Sequence, residues 1–458
     1  MAARIAVVGG SVAGLSSAIL LARRGFEVDL YERDTPPPDD LDDVQQWNRP
    51  GAPQTQHPHV FLGLFRKLLR QNLPDVHEDM LAGGVEELPF SCPLAATAPG
   101  DEDLLMMAAR RTTLEWALHR ARGRESRIRY CPGASVQLGD VDNGTLKGIR
   151  TAEGDRDYDA VLDATGARSK LGLAFTPVVS DIECGKVYNS RFYVLRDGAE
   201  RPPLQYGSVS VVDGLGYGAA LFYHDRGTFS IDIGRLPEDD AMKKLRDPHA
   251  FDRVVAMLEP FRPWFEDGKA SPISEVVPMP GLRNVLRGLA PDAPKGYFPV
   301  GDRVCLTDPT FGRGLALALA HAVRIAETFA GTEGELAALN VRTTQEQVDY
   351  VRPWFDDVVV QDVARTSLWR AAVEDEPWQH LLPDMPPNPF LMIDAEEHDP
   401  ELGQAARRYV SMLTRTVDTS DIHERIQAIG TSSAKDQAAA SAPTYAQVLD
   451  ALGVGVAV

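Results

Sequence analysis

Apolar and polar positions along this chain switch repeatedly between the strand period and the helix period. Arg4–Val8 is a short apolar run that fits a strand buried on both faces. Small residues follow from Gly9 to Gly14, and Leu15–Arg24 then carries apolar residues at helical spacing. Gly25 ends that helix, since glycine takes the left-handed position after a helix without steric cost. Glu27–Tyr31 is a second strand, with Glu32 at its end. Residues 35–58, rich in Pro, Asp and Gln, read as an irregular excursion. His59–Asn72, Val76–Ala82 and Thr112–Arg122 read as helices. Arg127–Tyr130, Ser135–Leu138, Thr145–Thr151 and Asp159–Ala164 read as strands, with Asn143-Gly144 as a hairpin turn.

The stretch from 175 to 235 is the most strand-like of all: Val187–Leu195, Gly207–Val212, Gly218–Tyr223 and Thr228–Ile233. The GLGYG at 214–218 inside it reads as a bulge. Asp247–Trp264 returns to the helical period, Gly296–Val300 is a last buried strand, and Gly314–Thr328 a helix. Residues 331–427 are mainly helical with proline breaks, and 430–443 are a low-complexity, flexible Ala/Ser/Gly segment. The pattern predicts an α/β protein with a discontinuous nucleotide-binding domain, 1–170 and 280–330, with an excursion near 45–100. A β-rich substrate domain at 171–279 is inserted in it, and a helical C-terminal region follows at 331–458.

Two constellations carry chemistry. The first is strand, GGSVAG turn, helix, strand and acid over residues 4–34. Gly9 allows the tight turn, a small residue at Ser11 admits a pyrophosphate, and Gly14 lets helix and strand pack closely. The phosphates would face the N–H groups of Val12 and Ala13 at the positive helix end. Glu32 follows Gly14 by 18 residues, near the spacing of roughly 20 at which an acid meets a ribose. The middle glycine of the usual fingerprint is Ser11. The second constellation is YFPVGDRVCLTDPTFGRG, residues 297–314. Asp302 ends a strand where it can accept from a sugar or ribityl hydroxyl. The Pro309–Gly314 turn, with Gly312, presents backbone N–H groups that would stabilise negative charge on the pyrimidine edge of a reduced flavin.

Composition narrows the partners. The 458 residues and 44% hydrophobic content suffice for two or three domains. A net charge of -19 argues against nucleic acid and anionic membranes. No apolar run is long enough to span a membrane, and no signal peptide is visible, so a cytoplasmic location is expected. Cys92, Cys131, Cys184 and Cys305 are scattered without C-x-x-C, which suits a reducing compartment and leaves no metal site expected.

On these motifs the chain resembles the FAD-dependent monooxygenases of the aromatic-hydroxylase type. The GGSVAG turn with Glu32 and Arg33, the DATGARS at 163–169, and PVGDRVCLTDPTFGRG carry the likeness. Arg111 in RRTTLEWAL matches the family's cofactor-approaching arginine, and residues 54–84 are similar to actinobacterial members of secondary metabolism. The resemblance implies a glutathione-reductase-type Rossmann-like fold. It also implies FAD held by Asp163, Thr165, Gly166, Gly301, Asp302, Pro309, Gly312, Gly314 and Leu315 besides the first turn. The activity implied is hydroxylation or epoxidation of an apolar aromatic or alkene-containing intermediate with O2, through a flavin C4a-hydroperoxide, as in antibiotic biosynthesis. His57, His59 and Arg313 are the catalytic candidates, and Tyr193, Tyr206, Phe222 and Tyr223 the substrate candidates. The family's Asp-Gly pair is Thr165-Gly166 here, so NAD(P)H as direct donor and a separate flavin reductase both stay open. So do a reductase or dehydrogenase acting on isoprenoid or polyketide double bonds, and a non-catalytic FAD-fold binding protein. Flavin-dependent halogenases share the FAD fold, but their Trp-x-Trp-x-Ile-Pro segment has no counterpart here.

Overall fold

The computed structural model describes residues 2–90, 101–332, 335–384, 400–414 and 442–454, with isolated positions from 386 to 399 and at 425. Cys92 and most of the low-complexity stretch 430–443 lie outside the described residues. In chain order the principal elements are β1 (Arg4–Val8), α1 (Val12–Arg23), β2 (Glu27–Glu32), α2 (Gly63–Asn72) and α3 (Arg111–Arg124). They continue with β3 (Ile128–Pro132), β4 (Ala160–Asp163), β5 (Val187–Leu195), β6 (Val209–Asp213), β7 (Tyr217–Tyr223) and β8 (Thr228–Arg235). The last are β9 (Tyr297–Pro299), α4 (Arg313–Ala330) and α5 (Asn340–Val373).

The first sheet runs β9-β4-β1-β2-β3 with every neighbour parallel. Ile5, Val7, Leu30 and Leu162 are fully buried, as expected of strands covered on both faces. α1 and α4 pack against each other on one side, with α2 and α3 extending that layer. Gly25, at φ +93°, closes α1 in the left-handed conformation that the sequence demands there.

The second sheet is antiparallel, β6-β7-β8-β5, with Ala270–Pro272 and Val277–Met279 both pairing with β5. Its two faces are unlike. Tyr193, Leu221, Tyr223, Phe229, Ile231 and Ile233 point to a back face sealed by the helices at 248–255 and 445–451. Phe192, Val211, Gly218, Ala220 and Phe222 point the other way, toward the first sheet's half, and are only half-buried. An antiparallel ladder of Val178–Glu183 with Arg283–Arg287 joins the two halves.

Several sequence expectations shift. The helix expected from His59 begins at Gly63, because His57 to Phe61 is extended and Phe61 bridges Met107 in the strand Leu105–Ala108. Asp247–Trp264 is not one helix: it breaks after Val255 and resumes as a tight 3₁₀ segment, Glu259–Trp264. Pro260 and Pro263 remove the N–H groups a continuous helix would need. Gly214 to Gly216 form the turn between β6 and β7 rather than a bulge. Of the strand expected at Ser135–Leu138, only Gln137–Leu138 pairs. No described helix is long and apolar enough to cross a membrane.

Candidate functional site

The first turn is shaped by backbone meeting backbone. Gly9 has φ +109°, and a Cβ there would stand 2.4 Å from the Ala164 carbonyl oxygen. A Cβ on Gly14 would stand 1.7 Å from the Gly9 oxygen, so α1 can leave the sheet at this angle only with glycine at both places. Ser11 is the N-cap residue, yet its side chain makes no capping bond. Its hydroxyl donates to Glu115 Oε1 (2.7 Å) and accepts from Arg111 Nη2 (2.8 Å). The first N–H groups of α1, at Val12, Ala13 and Gly14, therefore have no side-chain cap. An anion would satisfy them.

Charges crowd the rim of this turn. Glu32, buried at the end of β2, accepts from the N–H of Gly10 (2.6 Å) and of Asp34 (2.8 Å). Arg49, wholly buried, reaches Glu115 Oε2 at 2.5 Å, Asp34 at 3.1 Å and Glu32 at 3.7 Å. Burial pushes the Glu115 carboxyl up, but Arg49 and Arg111 more than offset it and hold it below the usual range. Arg49 and Glu115 were not foreseen. The signal was an arginine inside an otherwise Pro- and Asp-rich loop, and an acid on the helical face of α3 that also carries Arg111. Arg33 lies exposed at the mouth of the crevice, 3.9 Å from Asp34.

The second turn faces the first. Gly301, at φ +63°, approaches Ala13 so closely that a Cβ would lie 2.9 Å from its methyl. Asp302 is half-buried and has no hydrogen-bond partner among the described residues. Burial raises its pKa and the Arg111 charge opposes that rise. Pro309–Phe311 is a short 3₁₀ turn, Gly312 (φ +64°) is the N-cap of α4, and nothing lies within 4 Å of a Cβ placed on Gly314. Leu315 is buried behind them. Thus α4 also opens an uncapped N-terminus onto the crevice. Thr165 and Gly166 border it at the end of β4, next to Gly9, and are half-buried.

Two expected site residues lie elsewhere. Asp163 is fully buried and turned inward: Thr165 Oγ1 (2.5 Å), Tyr297 OH (2.7 Å) and Arg303 Nε (3.2 Å) surround its carboxylate. It organises the sheet end rather than meeting a ligand. Arg313 points away from the crevice into the C-terminal helices. It donates to the Trp354 carbonyl and Tyr409 OH, both at 3.0 Å, and pairs with Asp357 at 2.7 Å. As a catalytic candidate it is therefore misplaced, since its guanidinium is engaged away from the crevice.

The front face of the second sheet roofs the crevice. His57 Nδ1 lies 3.1 Å from Ser190 Oγ on β5, and burial lowers its pKa to about 4. His59 Nδ1 contacts the His57 carbonyl at 3.0 Å and its Nε2 lies 3.4 Å from Arg111, whose charge joins burial in keeping it neutral. His224, unforeseen, sits between the Ala109 carbonyl (3.1 Å) and Ser230 Oγ (2.8 Å) and stacks on Phe192; burial lowers it to about 4. Of the four substrate candidates only Phe222 is on this face. Tyr193 donates to Asp252 (2.7 Å) and Tyr223 to Glu86 (2.6 Å) on the back face, and Tyr206 packs into the core of the first half. The aromatic residues were placed by type, but strand register sends successive side chains to opposite faces.

Beneath the roof, Tyr188 OH lies 2.9 Å from Asp308 Oδ1 and 2.6 Å from Thr310 Oγ1. Arg365, from α5, bridges Asp308 (3.2 Å) and Asp362 (2.8 Å), and Asn284 donates to Asp362 (2.6 Å). Burial and the neighbouring Asp308 charge raise Asp362, whereas Arg365 outweighs burial and holds Asp308 low. Potential ligand atoms of Cys184, Asp308 and Asp362 come within 4.8 Å of one another, but Arg365 already fills the position of a cation there.

Residues 7–37 match the family model described as an NAD(P)-binding Rossmann-like domain. Protein Rv3254 of Mycobacterium tuberculosis is 25% identical over 378 residues, 74% of this chain and 76% of that protein. Among solved structures, p-nitrophenol 4-monooxygenase PnpA of Pseudomonas putida is similar with a TM-score of 0.62 at 14% identity, covering 91% of this chain and 99% of that one. PqsL of Pseudomonas aeruginosa, a probable FAD-dependent monooxygenase, gives 0.58 at 14% identity, covering 84% and 100%. The flavin-dependent brominase Bmp2 gives 0.58 at 15%, covering 95% and 100%. At such identities the likeness is one of architecture: the chain has the fold that FAD-dependent monooxygenases and halogenases share.

Proposed function

We propose that this chain is an FAD-dependent monooxygenase of an apolar aromatic or alkene-containing substrate. The observation that carries the reading is the pair of uncapped helix N-termini, α1 after Ser11 and α4 after Gly312, opening onto one crevice. When bound there, FAD supplies the activation of O2 and the transfer of one oxygen atom. The chain's own residues bind and orient. The N–H groups of Val12, Ala13 and Gly14 take the diphosphate. Glu32, fixed by Gly10 and Asp34, keeps lone pairs for a ribose, and Asp302 faces the ribityl chain. The N–H groups at Gly314 and Leu315 stabilise negative charge on the flavin's pyrimidine edge. Phe192, Val211, Ala220 and Phe222 exclude water over the reacting face. Neutral His57, whose Nδ1 is taken by Ser190, hydrogen-bonds a substrate oxygen through Nε2 without adding charge, and His224, held at both ring nitrogens, positions Phe192 beneath it.

On this reading residues 1–170 and 280–330 bind the cofactor, 171–279 supply the roof, and the C-terminal helices close one end, where Trp369 of α5 packs over Gly218. Cys131, Cys184 and Cys305 are free thiols, in keeping with a cytoplasmic enzyme. Electrons come from NAD(P)H, directly or through a reductase.

The test is the visible spectrum of the purified protein, followed by anaerobic NADPH or NADH. A flavin spectrum that bleaches and recovers in air with peroxide release supports a self-sufficient monooxygenase. A flavin that does not bleach assigns reduction to a partner. Protein that takes up no FAD sinks the reading. Bmp2 shares the architecture alone, so halogenation is an outcome of the test: halide-dependent product formation in place of oxygen incorporation would overturn the monooxygenase reading.

A further inference from the structure

Lys186 immediately precedes β5, and its side chain lies across the front face of β8. Gly234 makes the room: a Cβ there would stand 2.1 Å from Lys186 Cε. The ammonium rests 4.2 Å from the Tyr188 ring centre and 5.7 Å from that of Trp369. Lys186 is 7% exposed. Its one hydrogen bond among the described residues is a long one, 3.5 Å to Thr310 Oγ1, and no described carboxylate is within salt-bridge distance. Arg365 repels it, and Asp232 on the same face, with Asp308 and Asp362 beyond Thr310, contributes attraction without forming a pair. An ammonium has three donors, and removing it from water without a close counter-ion costs several kcal/mol. Most of that donor capacity is unspent here. Thr310 belongs to the second turn, so the unspent donors lie where the roof meets that turn.

We propose that Lys186 is the specificity residue of the pocket and binds an anionic oxygen, carboxylate or enolate, on the substrate. The inference rests on the reading that the crevice holds FAD. It narrows the substrate class to apolar rings or alkenes that carry an acidic group at the end directed toward Tyr188 and Thr310. Gly234 is part of the same device, because any side chain there displaces the lysine stem. The aromatic rings of Tyr188 and Trp369 hold the ammonium in place while the anion is absent.

The experiment titrates FAD-loaded wild type, Lys186→Met and Lys186→Arg with benzoate and with its uncharged isostere benzamide, following flavin absorbance. Wild type is expected to prefer benzoate. Lys186→Met is expected to weaken benzoate by about tenfold or more, the loss of a charge-assisted hydrogen bond, and to leave benzamide unchanged. Lys186→Arg keeps the preference for the acid. If the methionine variant does not fold, Lys186→Gln carries the same comparison. Equal affinities for acid and amide in wild type, an unchanged acid-to-amide ratio in the variant, or no response to benzoate overturns the proposal while the FAD reading stands. Failure of the wild type to take up FAD overturns both.

Discussion

The dinucleotide turn and the roof of the crevice bury polar groups in opposite ways. Around Ser11 the charges stay on and cancel: Arg49 and Arg111 share Glu115, and Arg49 also meets Glu32 and Asp34. On the front face of the roof the ionisable groups are pushed toward neutrality, whereas Asp308 and Arg365 beneath it stay charged as a pair. His57, His59 and His224 are held uncharged, Asp232 is raised by burial to about 6, and burial also lowers Lys186. A permanent charge network suits a cofactor whose phosphates are always anionic. On the proposed reading, a front face of neutral histidines and half-buried apolar side chains suits an apolar substrate. The difference teaches that the two ends of one crevice are specialised by dielectric as much as by residue type.

The largest test removes the keystone of the charged end. Glu115→Ala leaves two guanidinium groups without their shared partner, and a loss of about 3–5 kcal/mol in urea unfolding is expected. A loss below about 1 kcal/mol would mean that these charges are solvated and that the contrast with the roof is false. Next comes the contrast between the roof's two faces. Tyr193→Ala empties a fully buried position stacked on Phe229, at a cost of about 3 kcal/mol or more. Phe222→Ala, from the half-buried front face, is expected to cost about 1 kcal/mol. Phe222→Ala should nonetheless alter the flavin spectrum of the loaded protein, which Tyr193→Ala should not. The reverse pattern would place the pocket on the wrong face.

The smallest effect is in pH. The native pKa of His224 is about 4, against 6.5 for the ordinary side chain. Between those values the unfolded chain binds a proton there that the native protein does not, so this group's effect lowers stability as the pH falls through the window. Its slope is at most about 1.4 kcal/mol per pH unit. Asp232 acts in the opposite sense, because the native protein holds its proton more tightly. The clean measurement is therefore the difference between wild type and His224→Gln. Whatever the variant costs at pH 7.5, that cost should shrink as the pH is lowered from about 6.5 toward 4. A difference that stays constant with pH would show that His224 is not buried neutral.

How much of this could be read in advance follows from how the groups are encoded. Gly9, Gly14, Glu32, Gly301 and Gly312 were legible because each strand–turn–helix unit is contiguous. A backbone that must pass within contact distance of another backbone tolerates only glycine. The parallel core was legible for the same reason, since strands buried on both faces appear as short apolar runs. The roof was not. Its strands were found, yet three of the four chosen aromatic residues lay off its front face, because the side-chain period of two leaves the choice of face to tertiary packing. Asp163 sits where the motif put it, but Tyr297 and Arg303, over a hundred residues away in sequence, turned it inward.

By itself, then, the order of residues determined the two strand–turn–helix units that border the crevice, through glycines whose necessity is local and steric. Only the tertiary structure decided which charges would stay on and which would be suppressed. Arg49 finds Glu115 across 66 positions, and Lys186 folds to a place where no described carboxylate is within salt-bridge distance, because burial and long-range pairing act on distances that no stretch of sequence contains.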